Sequence, residues 1–449
     1  MSKVIKIKKG LNIKLKGEPE AMLQQGFSCE TFAIKPTDFP GLTPKLKIGV
    51  DEEVLAGTPL FIDKYQPEVN YCAPVSGTVV AVNRGERRRI LEVVIAAKGD
   101  AYVEYPKVDP MSLDTAQVKE RLLASGCWPF LRQRPYAVVA NPTDVPKHIY
   151  ISAFDSAPLA PDYNFVLKGK KAAFQAGVNA LSKLTSGKVR ICTDADAAPN
   201  ETLAGLANAE SYAFSGPHPK SAIGVQIHNI EPINKGDIVW YVNPQDVLSI
   251  GNLFTEGKFM TDRLVALTGA QVSAPKYAQT KLGANIDAFT KGQLLDGDNR
   301  IISGNVLTGE ALLVGGFIGF YDAQVTVILE GREPEFLGWG TLGLSKWSVS
   351  RTFWSWLMPK RTYDLNTNMH GGHRPYVVTN EYEKVVPMDV LPVQLIKAIL
   401  VDDIDLMEQL GIYEVAEEDL ALCEVICTSK TEVQRIVRMG LDKVRKEMS

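Results

Sequence analysis

The sequence predicts a multidomain protein of the α/β plus β class, and three observations lead to that prediction. The chain has 449 residues, which at the usual domain size of about 150 residues corresponds to roughly three domains. Hydrophobic residues make up 45% and charged residues 22% of it, so the chain can bury real cores. Strand, alternating strand–helix, strand and helical patterns follow one another, which predicts β, α/β, β and helical regions in that order.

Residues 1–105 are predicted to form the first β domain. Aliphatic residues alternate with lysines at both ends of the segment 4–15, and such alternation is typical of strands. Proline and glycine punctuate the runs that follow. The expected strands and hairpins lie at 4–7, 11–15, 50–64, 72–82 and 90–96.

Residues 111–257 are predicted to form an α/β domain, because apolar strands alternate with helical patterns there. Asp114 is a candidate cap for the first helix. The expected strands are 136–140, 148–154, 189–193 and 237–241, and the expected helices are 114–124, 171–183, 200–207 and 244–253.

The last two regions are a β domain at 258–333 and a mainly helical domain at 334–449. The β domain has Gly-rich turns and the size of a β-grasp unit. Its expected strands are 263–268, 301–303 and 323–329, with a short helix at 285–289. The helical domain has expected helices at 346–358, 393–401, 402–410, 417–427 and 430–446.

Composition excludes several classes of protein. The 49 basic and 52 acidic residues give a net charge of −3, which argues against a dedicated nucleic-acid binder. Six scattered cysteines with no C-x2-C pair argue against iron–sulfur and structural zinc sites. Cys423 and Cys427 are expected on one face of a buried helix. The N-terminus has no apolar signal core and no membrane-length apolar run is present, so a cytoplasmic chain is expected.

Residues 50–82 resemble a lipoyl or biotinyl carrier domain, which has the barrel-sandwich hybrid fold. Carriers hold a modified lysine on a hairpin ahead of a strand that reads A/S-P-x-x-G-T-V. Here Lys64 stands 13 residues before Gly77 of A-P-V-S-G-T-V, a longer spacing than in the carriers. The resemblance leaves two interpretations, a swinging-arm site at Lys64 or an ordinary surface lysine on a domain that lost the arm. The longer hairpin favours the second.

Over its full length the chain resembles the family of alpha chains of the Na+-translocating NADH:quinone reductase. It is more distantly similar to the C subunit of the Rnf complex and to the flavin subunit of respiratory complex I. The segments that carry the resemblance are I-K-K-G-L-N-I-K-L-K-G (7–17), K-I-G-V-D-E-E-V-L-A-G-T-P-L-F-I-D-K (47–64), S-G-P-H-P (215–219), G-V-Q-I-H (224–228), R-I-I-S-G-N-V-L-T-G (300–309), R-P-Y-V-V-T-N-E-Y-E-K-V-V-P-M-D-V-L-P (374–392) and E-E-D-L-A-L-C-E-V-I-C (417–427).

The resemblance implies a barrel-sandwich hybrid domain, a Rossmann-like α/β domain, a β-grasp domain of the soluble-ligand-binding type and a helical C-terminal region. It also implies a peripheral subunit on the cytoplasmic face of the bacterial inner membrane. The expected partners are the other subunits of the reductase complex, chiefly the integral-membrane flavin subunit. NADH, flavins and iron centres would lie on those partners, and quinone is the expected substrate ligand.

One departure from the distant relatives concerns the flavin loop. Complex I and Rnf relatives carry a Gly-rich G-x-G-G-A-G-F-P loop, whose glycines let backbone N–H groups approach a phosphate. The corresponding stretch here reads L-L-A-S-G-C-W-P-F-L-R (122–132), with Gly126 as its single glycine and Trp128 in place of open space. We therefore expect neither a flavin nor an iron–sulfur cluster on this chain, and we assign it no catalytic, cofactor-binding or metal-binding residue.

The candidate quinone-facing or partner-facing residues are Trp347, Trp354, Trp356, His370 and His373. Four of the six tryptophans fall within residues 339–356 beside basic residues, a composition that favours a membrane interface or a large partner surface. A packed helix of the C-terminal core is the equally open interpretation. The loop at 370–373 could meet a quinone carbonyl, since histidine donates hydrogen bonds and relays protons; ordering a subunit contact is the simpler role. His218 and His228 are expected to make structural hydrogen bonds.

Three alternatives stay open beside the reductase subunit. The first is a carrier protein modified at Lys64, and the second is a self-contained NADH-dependent flavoenzyme. The third is a pure scaffold without a ligand, which sequence alone does not separate from a quinone-binding subunit, because an apolar quinone pocket needs few polar groups.

Overall fold

The computed structural model describes residues 3–332 and 335–448. Most of the expected strands are present, with small shifts at their ends. In chain order the strands are β1 (Lys3–Lys6), β2 (Thr31–Ile34), β3 (Pro44–Leu46), β4 (Glu53–Val54), β5 (Pro59–Asp63), β6 (Asn70–Cys72), β7 (Gly77–Arg84), β8 (Ile90–Ala97), β9 (Arg132–Arg134), β10 (Val138–Val139), β11 (Ile149–Ser152), β12 (Val189–Asp194), β13 (Ala209–Ser215), β14 (Val239–Tyr241), β15 (Asp262–Thr268), β16 (Lys276–Lys281), β17 (Asn299–Ser303), β18 (Glu310–Leu312) and β19 (Gln324–Leu329).

The helices follow the apolar periodicity of the sequence. They are α1 (Thr115–Ser125), α2 (Tyr163–Val166), α3 (Lys171–Ser182), α4 (Ile223–Ile230), α5 (Pro244–Thr255), α6 (Asp287–Thr290), α7 (Pro392–Leu400), α8 (Ile404–Gln409), α9 (Ala421–Ile426) and α10 (Val433–Met448). Asp114 caps α1 as predicted, since its carboxylate accepts from the N–H of Gln117, which satisfies a donor that the helix cannot. No described helix has both the length and the apolar character that crossing a bilayer requires.

The N-terminal β unit packs two antiparallel sheets against each other. One has the strand order β2-β8-β7-β4 and the other β3-β5-β6. Its apolar side chains join one continuous core with those of the next two units.

The α/β unit is built on a seven-stranded sheet with the order β1-β13-β12-β11-β14-β9-β10. The strands from β1 to β14 in that order are parallel, and β9 and β10 are antiparallel. Helices α3 and α5 pack backbone to backbone, because a Cβ at Gly251 would lie 1.8 Å from the carbonyl oxygen of Ala173. The chain crosses from β13 back to the other side of β11 to form β14.

The position of β1 corrects the sequence interpretation. The alternating stretch at 4–7 predicts a strand of the first β domain, but β1 forms the edge of the α/β sheet beside β13. The second alternating stretch, 11–15, forms no extended strand, and only Leu15 makes an isolated bridge, to Tyr363. Alternation predicts an extended backbone but carries no information on which sheet the strand joins.

Two predicted helices are wrong. Residues 200–207 form turns, in which the Asn200 side chain accepts from the N–H of Thr202 and so competes with helical hydrogen bonding. Residues 346–358 contain only a short 3-10 helix, Trp354–Leu357, because Ser, Thr, Val and aromatic residues favour helices weakly. The described part of 335–391 contains no α-helix, so the C-terminal region is helical only from 392 onward.

The third unit is a five-stranded sheet with the order β16-β15-β19-β17-β18. The C-terminal helices pack on the α/β unit, since Tyr150, Phe214 and Leu441 belong to one buried cluster. Cys423 and Cys427 are both buried at α9, which confirms the prediction for that pair.

Candidate functional site

A cavity of about 150 Å³ lies at the carboxyl end of the parallel sheet, between β11 and β14. The cavity is lined by residues that follow β11, by residues that follow β14 and by the first residues of α4 and α5. The strand order reverses at this point, because β12 lies on one side of β11 and β14 on the other. Open α/β sheets bind their ligands in the crevice at such a point.

His218 is a buried titratable group in the cavity wall, with 8% of its surface exposed. Its Nδ1 lies 3.0 Å from Oγ of Ser156, which lies 2.8 Å from Oγ of Ser221, which in turn lies 3.2 Å from Oδ1 of Asp155. A carboxylate only accepts hydrogen bonds. Ser221 therefore donates to Asp155, Ser156 donates to Ser221, and Nδ1–H of His218 donates to Ser156.

This chain of hydrogen bonds sets the chemistry of His218. With the proton on Nδ1, Nε2 carries the lone pair, and among the described residues Nε2 has no partner. Burial lowers the pKa of His218, and the charge of Asp155 opposes that shift. Nε2 is thus the ring nitrogen that is left to accept a hydrogen bond or a proton.

Arg132 supplies positive charge to the same cavity. Its guanidinium lies over the rings of Tyr241 at 4.5 Å and Tyr321 at 4.2 Å, and Nη2 donates to Asn243 at 3.0 Å. Its buried Nε lacks a hydrogen-bond partner in the described structure. A buried unsatisfied donor is costly, and the guanidinium keeps its charge at the cavity wall.

The acidic groups near Arg132 are already paired. Arg134 is fully buried and donates to Oδ2 of Asp419 and to Oε1 of Glu418, each at 2.8 Å. Asp155 accepts from the N–H of Ala157 at 2.8 Å as well as from Ser221.

The loop at 122–132 is closed by packing. Trp128 is fully buried, donates from Nε1 to the carbonyl oxygen of Ala140 at 2.8 Å, and packs edge-on against Trp240 at 5.5 Å. Gly126 ends α1 with a φ of 84°, and a Cβ there would lie 2.6 Å from Cβ of Cys72. The single glycine of the loop thus serves a close contact between α1 and the N-terminal β unit.

The predicted residues Trp347, Trp354, Trp356, His370 and His373 lie outside this cavity. Trp354 and Trp356 are 54% and 50% exposed, and Arg351 lies over the ring of Trp356 at 5.7 Å. His370 and His373 are exposed, and Nδ1 of His373 lies 3.0 Å from the carbonyl oxygen of Lys430. No direct contact joins the tryptophans to the histidines within the described residues.

Lys64 lies on the turn after β5, exposed, with Nζ 5.7 Å from the ring of Tyr65. Its backbone N–H donates to the carbonyl oxygen of Thr43, so the turn is held against β3. The geometry leaves both interpretations of Lys64 open.

Sequence reasoning misses the residues that build the cavity, namely Arg132, Ser156 and Ser221. It singles out S-G-P-H-P only as a motif and predicts structural hydrogen bonds for His218 and His228. That prediction is confirmed for His228, which contacts Glu414 at 2.7 Å and accepts from the N–H of Asp389. A histidine next to serines ahead of a helix was the available signal.

The fold and the cavity define a multidomain α/β protein with an N-terminal β unit and a small crevice at the sheet's carboxyl edge. Three family models match successive parts of it: the NqrA N-terminal barrel-sandwich hybrid domain over 5–98, the NqrA second alpha/beta domain over 113–259 and the NQRA C-terminal domain over 264–313. These matches confirm the barrel-sandwich and α/β predictions.

The chain belongs to the NqrA family, the alpha chains of the Na(+)-translocating NADH-quinone reductase. It is 40% identical over 449 residues to the NqrA chain from Yersinia pestis bv. Antiqua (strain Angola), covering 99% of this chain and 100% of the relative. It is also 40% identical over 448 residues to the NqrA chain from Saccharophagus degradans, with the same coverage. A solved NAD+-reducing NiFe hydrogenase chain is 11% identical over 75% of this chain and 67% of that chain, with a TM-score of 0.41, which is too low to support an argument.

Proposed function

We propose that this chain is a peripheral subunit of a Na+-pumping NADH:quinone oxidoreductase, a complex that couples electron transfer from NADH to quinone with Na+ export. The observation that carries the proposal is the full-length match at 40% identity to curated NqrA chains of that reductase. Its own part is assembly of the complex and a contribution to the quinone site. The isolated chain is not catalytic in this proposal.

The chain is proposed to hold no redox cofactor. Trp128 occupies the space where the distant relatives have glycines, and Gly126 is pressed against Cys72, so this loop offers no cradle for a flavin phosphate. Flavins and iron centres are then carried by the partner subunits. We place the chain on the cytoplasmic face of the bacterial inner membrane, held there chiefly by the integral-membrane flavin subunit.

The surface proposed for the partner is the tryptophan segment, residues 335–361. Large apolar side chains stand exposed along it, including Phe336, Trp339, Trp354, Trp356 and Leu357. Exposed apolar patches of this kind on a protein surface mark interaction sites. The neighbouring loop with His370 and His373 is proposed to face the quinone or the same partner.

Two fold labels and the domain boundaries remain part of this proposal. A Rossmann-like label for the α/β unit is supported by its parallel strands and by the reversal of strand order at β11. A β-grasp label for 258–333 is supported by a mixed five-stranded sheet with the short helix α6. The proposed boundaries are 1–105, 111–257, 258–333 and 334–449, with β1 contributing to the second unit's sheet.

The test is ligand-detected NMR of the full chain with a short-chain quinone, repeated with Trp354→Ala and His373→Ala. Saturation transfer that is lost in either variant is the expected result. Tyr65→Ala, at an exposed aromatic residue outside the segment, is the matched control for the tryptophan. If both variants retain saturation transfer, the quinone site lies outside 347–373. Absence of saturation transfer when the membrane subunit is bound would overturn the quinone role.

The alternative function is a lipoyl- or biotin-type carrier modified at Lys64. The exposed position of Lys64 on a hairpin turn is the observation that favours it. An intact mass equal to that of the unmodified 449-residue chain would remove this alternative, and a mass increase lost in Lys64→Arg would establish it.

A further inference from the structure

The cavity between β11 and β14 has no role in the function proposed above, although polar side chains line it. Two helices begin at its wall. α4 starts at Ile223 after Ala222, α5 starts at Pro244 after Asn243, and all four residues line the cavity. Neither helix has a side-chain cap.

Helix starts of this kind favour negative charge. The first N–H groups of a helix have no intrahelical acceptor, and the helix dipole places partial positive charge there. α4 has 8 residues and α5 has 12, so both are long enough to present this effect. Two such ends at one recess point to an oxyanion as the group that the recess accepts.

His218 is a second and independent sign of a ligand. Only 8% of its surface is exposed, and it lines the cavity. Its Nε2 has no partner in the part of the chain that the structure describes, whereas Nδ1 is fixed through Ser156 and Ser221 to Asp155. Protonation at Nε2 would turn this nitrogen into a charged donor, and the Asp155 carboxylate would stabilise the imidazolium.

Arg132 adds a positive charge, because its guanidinium belongs to the cavity wall. Asp155 is the charged group that acts on His218, and Glu418 and Asp246 act on Arg132 together with the hydroxyls of Tyr241 and Tyr321. Asp246 is paired with Arg263, and Glu418 shares Arg134 with Asp419. Asp155 and Glu418 therefore add negative charge at the recess, which the start of α4, Arg132 and a protonated His218 oppose.

We propose that this cavity binds a phosphate group, either free phosphate or the end of a small phosphomonoester, with His218 taking up a proton from solvent as the anion binds. Polar groups reach the recess from three directions: the α4 start, Arg132 on β9 and the His218 loop. A tetrahedral oxyanion uses donors from several directions better than a planar carboxylate does. The proposal does not depend on the quinone role.

The first experiment uses the wild-type full chain and inorganic phosphate. The chain has five histidines, so their imidazole signals can be followed separately by NMR, and His218→Gln identifies the His218 signal by its loss. The expected result is saturable binding that shifts the His218 signal and leaves that of exposed His373 in place. Calorimetry in buffers of different ionisation enthalpy should show net proton uptake.

Sulfate serves as a probe of the pH dependence, because it is tetrahedral but does not titrate near neutral pH. Its affinity should rise as the pH falls from 8 to 6, by at most about tenfold per pH unit for uptake of one proton. An affinity for sulfate that is the same at both pH values would contradict the part assigned to His218.

The variants Arg132→Gln and His218→Gln should each weaken phosphate binding by at least about tenfold, the loss expected for one charged hydrogen bond. Arg300→Gln and His373→Gln are matched controls that lie outside the cavity and should bind as the wild type does. Ser156→Ala is a milder change that breaks the chain to Asp155. It should reduce proton uptake even if the other two variants are unstable.

Adenosine monophosphate and acetate complete the series. Tighter binding of the nucleotide than of phosphate would identify a phosphomonoester as the ligand, and equal or weaker binding would identify free phosphate. Acetate that competes as well as phosphate would overturn the choice of phosphate. No saturable binding of phosphate, sulfate or adenosine monophosphate by the folded wild-type chain would overturn the site itself.

Discussion

Gly126 illustrates how much one residue can decide in this chain. It is buried, adopts a φ of 84° and meets Cys72 of the N-terminal β unit. In the sequence it is the single glycine of the stretch 122–132. In the folded chain it is a contact between two units, and Trp128 fills the neighbouring space.

Gly126→Ala is expected to destabilise the chain for two reasons. The left-handed backbone costs about 1–2 kcal/mol for a residue with a Cβ, and overpacking against Cys72 adds about 1–3 kcal/mol. Gly205→Ala is the matched control, because Gly205 has a φ of 67° with nothing within 4 Å of the added Cβ. Gly205→Ala should lower the free energy of unfolding only by the cost of the left-handed backbone. Chemical denaturation of both variants measures the difference, and equal losses would show that Cys72 moves aside freely.

At the scale of elements, a salt-bridged turn joins the first β unit to the third. Asp38 ends a 3-10 helix, Pro36–Asp38, and accepts from the N–H of Phe320 at 2.8 Å. Lys35 lies 3.3 Å from both Asp38 and Glu310. Burial raises the pKa of Asp38 to about 7, against the opposing effect of Lys35.

This raised pKa predicts a pH dependence of stability. Between about pH 4 and pH 7 the folded chain holds a proton on Asp38 that the unfolded chain has released. The free energy of unfolding contributed by Asp38 therefore falls as the pH rises through this window, by at most about 1.4 kcal/mol per pH unit. Asp38→Asn should remove that slope. Above pH 8, the free energy of unfolding of Asp38→Asn and that of the wild type should change with pH to nearly the same extent.

Urea denaturation of wild type and Asp38→Asn at several pH values measures this difference. Asp196→Asn is the control of opposite sign. Lys220 lowers the pKa of Asp196, so the contribution of this carboxylate to stability is lost as the pH falls below the unfolded value. Parallel slopes for wild type and Asp38→Asn would contradict a shifted Asp38.

At the scale of the whole molecule, aromatic rings tie the first three units together. Phe39 of the first unit lies 4.6 Å from Tyr71 and 4.9 Å from Phe320 of the third, and Phe130 of the second lies 5.3 Å from Phe320. These rings are buried in one continuous cluster. The units thus share a core, which favours a single cooperative unfolding event.

Scanning calorimetry should therefore show one main transition for the full chain. Phe130→Ala should lower its temperature, because truncating a buried Phe costs about 3–5 kcal/mol. Phe336→Ala, at a phenylalanine that is 90% exposed, should leave it nearly unchanged. Two well-separated transitions in the wild-type chain, with only one of them shifted by Phe130→Ala, would show that the units unfold independently.

Local pattern is sufficient to predict the order of β, α/β, β and helical regions and most individual elements, including the cap at Asp114 and the buried pair at α9. Periodicity and capping depend on residues a few positions apart, so a sequence displays them directly. The same patterns fail at 200–207 and 346–358, where polar and β-branched residues favour turns. These patterns also do not predict which sheet β1 joins.

Features that bring together residues far apart in the sequence were decided by the tertiary structure alone. The edge position of β1 requires Lys3–Lys6 to meet Ala209–Ser215, and the cavity brings Arg132, Asp155, His218 and Glu418 together. Such long-range contacts arise from the sheet order and from packing. Their free energy is shared among many residues, so they leave no short motif in the sequence. The sequence by itself determined the family and most of the elements, and the fold determined which distant residues line one cavity.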